Sequence, residues 1–175
     1  MRITTPIARI IILLTMLLIS SGCGYHFSPG GEYIDPDVRK VFIEPFANRT
    51  NQANLEDTVR LAITDWFVRG QRFQIVDSEA QADALFKGAV KSLSTVPLSY
   101  KTTNLAAEER MTLSLDLTFE DRRTKKVIWR NGDFSGTQDY PVASVNDTET
   151  ARKNALTKLS RDTAERAYRM MMSGF

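Results

Sequence analysis

The sequence predicts an α+β domain built as a two-layer sandwich, with two helices packed on one face of a mixed four- or five-stranded sheet. Three observations lead to this class. The stretch Arg110–Glu120 alternates strictly between apolar and polar residues and predicts a half-buried strand. Two longer stretches, one in each half of the chain, repeat apolar residues at helical spacing. The apolar runs around them complete the order β-α-β-β-β-β-α.

The first strand and the first helix come from the segment 38–70. The mostly apolar run Val38–Phe46 predicts a strand that closes at Pro45. Asn54, three residues before Asp57, is a candidate helix cap, and Arg69-Gly70 is a plausible stop. Apolar residues at helical spacing give this helix one buried face: Leu55, Val59, Ile63, Trp66 and Phe67. Because the helix lies between the first two strands, we expect one parallel βαβ crossover.

Three further strands and a second helix complete the predicted order. Gln71–Asp77 predicts the second strand, and Ala84–Tyr100 predicts a long third strand with Gly88 and Pro97 as irregularities. The alternating fourth strand turns into a fifth over Val127–Thr137, so the last three strands are expected to form a meander. The final helix is predicted from about Thr148 to Met171, with one apolar face: Leu156, Leu159, Thr163, Ala167 and Met170.

The first and third strands carry more apolar residues than one sheet face can hold. These residues are Val41, Phe42, Ile43, Phe46, Leu85, Phe86, Ala89 and Val90. Two interpretations stay open. Some apolar surface faces outward and is covered by a partner protein, or loops bury the sheet on both faces.

The N-terminus has the features of a bacterial lipoprotein signal, predicted over residues 1–22. Arg2 and Arg9 precede an apolar run from Ile10 to Ile19, which is shorter than the roughly 20 residues that span a bilayer. Small residues then lead to Cys23, the only cysteine, which is expected to carry a diacylglycerol and an N-acyl chain. The alternative is an ordinary signal peptide with a stray cysteine.

The segment after the signal divides into a tether and one domain. Residues 23–37 contain Pro29, Gly30, Gly31 and Pro36 without apolar periodicity, and we expect a lipidated tether. Residues 38–175 suffice for a single α+β domain. Two or three acyl chains hold a protein on a membrane essentially permanently, since each buried CH₂ contributes about 0.8 kcal/mol. Gly24, where an Asp would retain the protein at the inner membrane of enteric-type bacteria, favours the outer membrane.

Composition disfavours nucleic-acid binding and catalysis. The chain has 23 basic and 21 acidic residues, and two of the basic ones, Arg2 and Arg9, lie in the signal. The domain is therefore formally neutral, whereas nucleic-acid binders usually carry a basic surplus. The single histidine, His26, lies in the tether, and the sequence contains neither a glycine-rich phosphate loop nor an HExxH motif. We expect no enzyme, no metal site and no cofactor other than the covalent lipid.

Several segments resemble the LPS-assembly lipoproteins of the LptE type. Cys23-Gly24-Tyr25-His26-Phe27 and Val41-Phe42-Ile43-Glu44-Pro45-Phe46 look like the opening of that family. Gly70–Asp77 and Ala82–Gly88 are similar to its second strand and the start of its third. Arg110–Glu120 and the following Asp121–Trp129 also match. The resemblance covers nearly the whole chain after the signal.

This resemblance implies a fold, a partner and a place. The family fold is two helices on a four-stranded sheet, one strand fewer than the count above. Such proteins sit in the lumen of the LptD β-barrel of the outer membrane. They plug the barrel, help it fold and assist delivery of lipopolysaccharide to the outer leaflet. The implied partners are therefore the barrel, lipopolysaccharide and, through the lipid anchor, the membrane.

Two basic segments are candidate lipopolysaccharide contacts, because lipid A and the inner core carry phosphates and carboxylates. Tyr100-Lys101-Thr102 opens the loop between the third and fourth strands, where the family's lipid-contacting basic residue lies. The next hairpin tip places four positive charges in five residues: Arg122, Arg123, Lys125 and Lys126. The alternative for both segments is a solvated turn that resists edge aggregation.

Two other classes of function stay open. One is a lipoprotein accessory of another envelope machine, such as a secretion channel, since the strand, Pro-Phe-Ala-Asn and helix pattern also occurs in CsgG-type and TolB N-terminal modules. The other is a peptidoglycan-modifying enzyme with an unrecognised pair of carboxylates. A tight barrel partner would distinguish the proposed role from the first, and a cavity lined by close carboxylates would favour the second.

Overall fold

The computed structural model describes residue 31 and residues 33–100, 106–142 and 145–174. The signal peptide, Cys23 and most of the tether lie outside these residues. In chain order the elements are β1 Lys40–Ile43, β2 Ala47–Asn48, α1 Leu55–Arg69, β3 Gln74–Ile75, a 3₁₀ turn Glu79–Gln81, β4 Ala84–Tyr100, β5 Ala106–Asp121, β6 Val127–Pro141 and α2 Val145–Ser173.

The sheet is mixed and has the strand order β3-β1-β4-β5-β6, with the short β2 also paired to β4. β1 runs parallel to both β3 and β4, so the predicted βαβ crossover through α1 is confirmed. β4, β5 and β6 form the predicted antiparallel meander. Both helices lie on one face of the sheet. The predicted α+β two-layer sandwich is therefore confirmed.

The sheet has six strands, one more than the five counted in the sequence, because the predicted first strand, Val38–Phe46, is strand only over Lys40–Ile43 and the short strand Ala47–Asn48 follows it. The N–H of Glu44 still donates to the carbonyl of Phe86 at 3.0 Å. Pro45 has no N–H to donate, and pairing resumes only at Ala47. The predicted second strand is also shorter than expected, since only Gln74 and Ile75 pair with β1.

The core lies between the helices and the odd-numbered residues of β5. These five side chains are fully buried: Met111, Leu113, Leu115, Leu117 and Phe119. Phe86 on β4 and Trp129 on β6 pair with Phe119 in register, so three neighbouring strands bury aromatic rings at one level. Phe67 of α1 contacts this level edge-on, with ring centroids 5.2 Å from Phe86 and 6.3 Å from Phe119.

The opposite face of the sheet is covered by ion pairs. Lys87 lies 2.6 Å from Glu120, and the Arg110 guanidinium forms two hydrogen bonds with Asp139, at 2.7 and 2.8 Å. Leu85, which alternates away from the core residues of β4, is nevertheless buried. Of the eight apolar residues of the predicted first and third strands, all are buried except Phe42, which is partly exposed.

The two helices run parallel, with their N-termini at the same end of the sheet. Near those N-termini, the Arg152 guanidinium donates to Oε1 of Gln52 at 2.7 Å. Near the C-termini, the rings of Phe67 and Tyr168 pack edge-to-face at 5.2 Å. The chain from the tether arrives at the C-terminal end, where the N–H of Gly31 donates to the carbonyl of Met172.

The start of α1 differs from the prediction. Asn54 has a left-handed backbone (φ 59°), and its side chain makes no capping hydrogen bond. Its carbonyl instead accepts from the N–H of Thr58 at 3.1 Å and from the Thr58 hydroxyl at 3.0 Å. The predicted side-chain cap is wrong because this backbone conformation replaces the extended one in which a capping side chain can reach the free N–H groups.

Gly70, at the end of α1, is required for packing and not for backbone freedom. Its φ of −69° is accessible to any residue, but an added Cβ would lie 2.0 Å from the Tyr168 hydroxyl oxygen. We expect Gly70→Ala to lower the free energy of unfolding by about 2 kcal/mol, the usual cost of overpacking. Urea denaturation followed by circular dichroism measures this change.

The matched control is the next residue. Gln71 has a left-handed φ of 53°, where glycine is unstrained, so Gln71→Gly should leave stability unchanged or raise it slightly. Equal stability of Gly70→Ala and wild type would contradict the packing at this helix end.

Candidate functional site

Cys23 and Lys101 lie outside the described residues and stay predictions, as does Thr102. The described candidates are Tyr100 and the four basic residues of the β5–β6 turn. At least one of them lies in each predicted lipopolysaccharide contact or directly beside it.

The first candidate is the end of β4, which carries three exposed apolar side chains. Val96, Leu98 and Tyr100 are 50%, 40% and 64% exposed, and we call them the β4 tip. Pairing with β5 continues through Tyr100 opposite Ala106, although the register shifts twice after Pro97. The tip thus presents apolar and aromatic surface on a paired hairpin, and Lys101 follows it directly in the sequence.

The second candidate is the turn between β5 and β6, residues 122–126, which we call the basic hairpin. The Asp121 carboxylate accepts the N–H groups of Arg123 at 2.9 Å and Thr124 at 2.7 Å. These bonds, with that from Thr124 the strongest, hold the pKa of Asp121 below its usual value. An aspartate at the first position of a turn does this commonly, which explains why the chain reverses here.

The four basic residues of this hairpin are not equivalent. Arg122 is half-buried, and its Nε donates to the carbonyl of Ala82 at 2.6 Å. Lys125 has a left-handed φ of 57° and a loose ion pair with Glu79 at 3.8 Å. Arg123 and Lys126 are exposed. Only part of the charge is therefore free for an external ligand, because Arg122 braces the hairpin against the start of β4.

The structure separates the two predicted contacts. β5 has 16 residues, begins beside the β4 tip and ends at the basic hairpin. At about 3.3 Å per residue, the two candidates lie roughly 50 Å apart. One lipid headgroup cannot reach both, so they are two independent candidate sites.

A third basic site escaped the sequence analysis. Arg49, Lys91 and Arg152 line one cleft although they are isolated in sequence. Only the pairing of β2 with β4 and the contact between the helix N-termini bring them together. No local pattern in the sequence signals such a site.

Carboxylates in the described structure are mostly engaged with neighbours. One cleft of about 290 Å³ is lined by Asp35 and Asp121, but both accept backbone N–H groups in turns. Glu109 accepts a hydrogen bond from Tyr140, and burial followed by this bond raises the pKa of Tyr140 to about 12. These hydrogen bonds stabilise turns and strands, and all three carboxylates are engaged in them.

No group of three or more His, Cys, Asp or Glu residues in the described part of the chain could hold a metal ion. No helix in the same residues is long and apolar enough to cross a membrane.

Solved structures with the same fold include several bacterial lipoproteins. Lipoprotein B from Nitrosomonas europaea superposes with a TM-score of 0.55 at 12% identity, over 78% of this chain and 83% of that one. The rare lipoprotein B from Shewanella oneidensis gives a TM-score of 0.52 at 14% identity, over 77% and 95%. A hypothetical protein from Chlamydia trachomatis gives 0.51 at 12% identity, over 76% and 97%. At these identities the likeness shows the fold alone.

No curated protein sequence matches the chain. A family model does match: LptE, described as lipopolysaccharide-assembly, aligns with residues 38–171. The aligned segment runs from just before β1 to within α2 and therefore includes every strand. The chain belongs to the LptE family of lipopolysaccharide-assembly proteins.

Proposed function

We propose that the protein is an outer-membrane lipoprotein that plugs and supports the β-barrel of the lipopolysaccharide translocon and assists lipopolysaccharide assembly. In this proposal it is cut before Cys23, lipidated there and seated in the lumen of an LptD-type barrel. The match of residues 38–171 to the LptE family carries the proposal. Three features of the structure support it.

The first is the direction of the molecule relative to its anchor. The tether joins at the C-terminal end of the helices, where Gly31 contacts Met172. The eight residues from Cys23 to Gly31 reach at most roughly 28 Å. This end is therefore held near the membrane surface, and the β4 tip extends from the other end of the sheet.

The second feature is the charged face of the sheet. A water-filled β-barrel has a polar interior. The ion pairs Lys87–Glu120 and Arg130–Asp116 lie on the face opposite the helices, and Arg110–Asp139 continues the row along β5 and β6. Such a face can lie against a polar wall without burying unpaired charge.

The third feature is the chemistry of the β4 tip. Lipopolysaccharide combines acyl chains with phosphates. The tip offers the exposed Val96, Leu98 and Tyr100, and a lysine follows at once. Apolar contact with the chains and a charge-assisted hydrogen bond with a phosphate can therefore form side by side.

This chemistry predicts the effect of reversing one charge. A single exposed contact contributes about 1 kcal/mol, so loss of Lys101 should weaken lipopolysaccharide binding several-fold. Lys101→Glu should weaken it further because it adds repulsion. A pull-down of the membrane-extracted protein with lipopolysaccharide, at low and high salt, measures the change.

The basic hairpin supplies the comparison. Because Arg122 braces the fold, the hairpin variant should change only Arg123 and Lys126, both to glutamine. If the tip is the contact, this variant binds like wild type. Unchanged lipopolysaccharide binding by Lys101→Glu at low salt, with the circular dichroism spectrum intact, would contradict a contact at the β4 tip. Weaker binding by the hairpin variant alone would indicate that the basic hairpin is the lipopolysaccharide contact.

A further inference from the structure

The cleft beside β2 is lined by cations from three separate elements, and we call it the Arg49 cleft. It has a volume of about 460 Å³. Arg49 directly follows β2, Lys91 comes from β4 and Arg152 from α2. The other lining residues are uncharged: Thr50, Asn51, Gln52, Ser92 and Leu93. No carboxylate is among them, so the lining is positive.

Backbone pairing fixes the position of this cleft. Asn48 pairs with Val90, and the N–H of Arg49 donates to the carbonyl of Val90 at 2.9 Å. The chain then leaves the sheet toward α1, so in the described structure β4 continues past Val90 with no strand on this edge. A register shift between Val90 and Ser92 bends β4 at the same point. The cleft thus lies at an edge of the sheet beside a register irregularity of β4. Such irregularities are common at sheet edges and next to functional sites.

The side chains of the three cations differ in the hydrogen bonds and ion pairs that they already make. The Arg152 guanidinium donates to Gln52 at 2.7 Å and lies 3.9 Å from Glu149. Lys91 donates to the carbonyl of Gly132 at 3.0 Å and pairs with the exposed Asp133. The side chain of Arg49 is exposed and has no ion pair or hydrogen bond within the described residues. Arg49 can therefore take a ligand without breaking a contact, and Arg152 can assist beside Gln52. The Lys91 ammonium is directed away from β2, across β5 to β6.

The backbone adds a field of the same sign. α1 begins three residues after Gln52, and Arg152 lies in the second turn of α2. Both helix N-termini are therefore at this end of the sheet, and each carries a partial positive charge, which the acidic first-turn residues Glu56, Asp57 and Asp147 partly offset. Hydroxyl and amide groups of Thr50, Asn51 and Ser92 provide further donors at the wall.

We infer that the Arg49 cleft binds a phosphate group, supplied by a phosphorylated lipid headgroup or by free phosphate. A guanidinium donates two parallel hydrogen bonds to a phosphate, and a doubly charged anion suits two arginines that line the same cleft better than a single carboxylate does. The cleft shares no lining residue with the β4 tip, and Leu93 lies seven strand positions, roughly 20 Å, from Tyr100, the tip residue next to Lys101. The inference therefore goes beyond the proposed function and can fail without it.

The test uses the mature lipidated protein in nonionic detergent micelles and isothermal titration calorimetry. One arm adds inorganic pyrophosphate. The other adds mixed micelles that contain phosphatidic acid, with phosphatidylcholine micelles as the reference. The variant is Arg49→Gln, which removes one charge and no contact within the described structure. The matched control is Arg161→Gln, which removes one charge from an exposed position of α2 outside the cleft.

We expect saturable binding in at least one arm, weakened about fivefold by Arg49→Gln and unchanged by Arg161→Gln. Binding of pyrophosphate identifies free phosphate as a source, and binding of phosphatidic acid alone identifies a lipid headgroup. Absence of saturable binding in both arms, or equal weakening by Arg49→Gln and Arg161→Gln, would overturn the inference. Binding of a polyglutamate peptide in place of both phosphate probes would also overturn it, in favour of an acidic protein partner.

Discussion

Replacing Phe67 by alanine is expected to lower the free energy of unfolding by about 4 kcal/mol, the usual cost of truncating a buried phenylalanine. Phe67 is 0% exposed. Its ring lies 5.2 Å from that of Tyr168 on α2 and 5.6 Å from that of Phe73, and it also contacts Phe86 and Phe119 on the sheet. One side chain therefore joins both helices to the sheet. Urea denaturation followed by circular dichroism measures the loss.

Leu61 on the same helix is the matched control. It is 60% exposed, so Leu61→Ala should change the free energy of unfolding by less than about 0.5 kcal/mol. Equal effects of the two substitutions would contradict the assignment of the buried face of α1. A loss below about 1 kcal/mol for Phe67→Ala would contradict the central place of its ring.

The second large effect concerns the anchor. Cys23→Ala removes the thiol that would carry the diacylglycerol, and with it the acyl chains that hold a protein on a bilayer. We expect this variant to disappear from the outer-membrane fraction and to run as an uncut or unlipidated form. Fractionation of cell envelopes on a density gradient, with immunoblotting, detects both changes.

The control for this experiment is Ser21→Ala, which keeps a small residue before the cysteine and should be lipidated and sorted normally. Processing of Cys23→Ala at the normal site, with full retention in the outer-membrane fraction, would rule out the lipid anchor.

Local patterns in the sequence were sufficient for the elements that are half-buried. The alternation in Arg110–Glu120 predicts both the strand and its buried face, because a strand with one wet side imposes a period of two. The same physical logic fails for Val38–Phe46. That run does not alternate, because charged residues stand only at Arg39, Lys40 and Glu44. Its pattern places the end of the strand at Pro45 but does not reveal that pairing with β4 resumes at Ala47.

The ends of the first helix show a second limit. Arg69-Gly70 does end α1. Glycine is needed at position 70 because a side chain would clash with the Tyr168 hydroxyl, and the left-handed conformation falls on Gln71. At the other end, Asn54 occupies the expected place without the expected capping bond. Residue types thus indicate where a helix ends, whereas the contacts that fix the end depend on tertiary packing.

The candidate sites divide in the same way. Runs of charge such as Arg122–Lys126 are visible in the sequence, but their orientation is not, and the structure places Arg122 against Ala82. The Arg49 cleft joins residues separated by about a hundred positions, as the bond between Gln52 and Arg152 does. Sites assembled across elements are invisible to local patterns because only the fold brings their residues together.

The barrel partner is the point at which the proposed function is tested most directly. The lipidated, affinity-tagged protein is extracted from membranes and purified, with a photo-crosslinking amino acid placed at Thr118. This residue neighbours Lys87 on the charged sheet face. The same crosslinker at the exposed Arg161 of α2 is the comparison. We predict that one β-barrel protein of the lipopolysaccharide-assembly type co-purifies in equal amount and crosslinks to Thr118. Purification of the protein alone, or with a subunit of a secretion channel in place of that barrel, would contradict the proposed function.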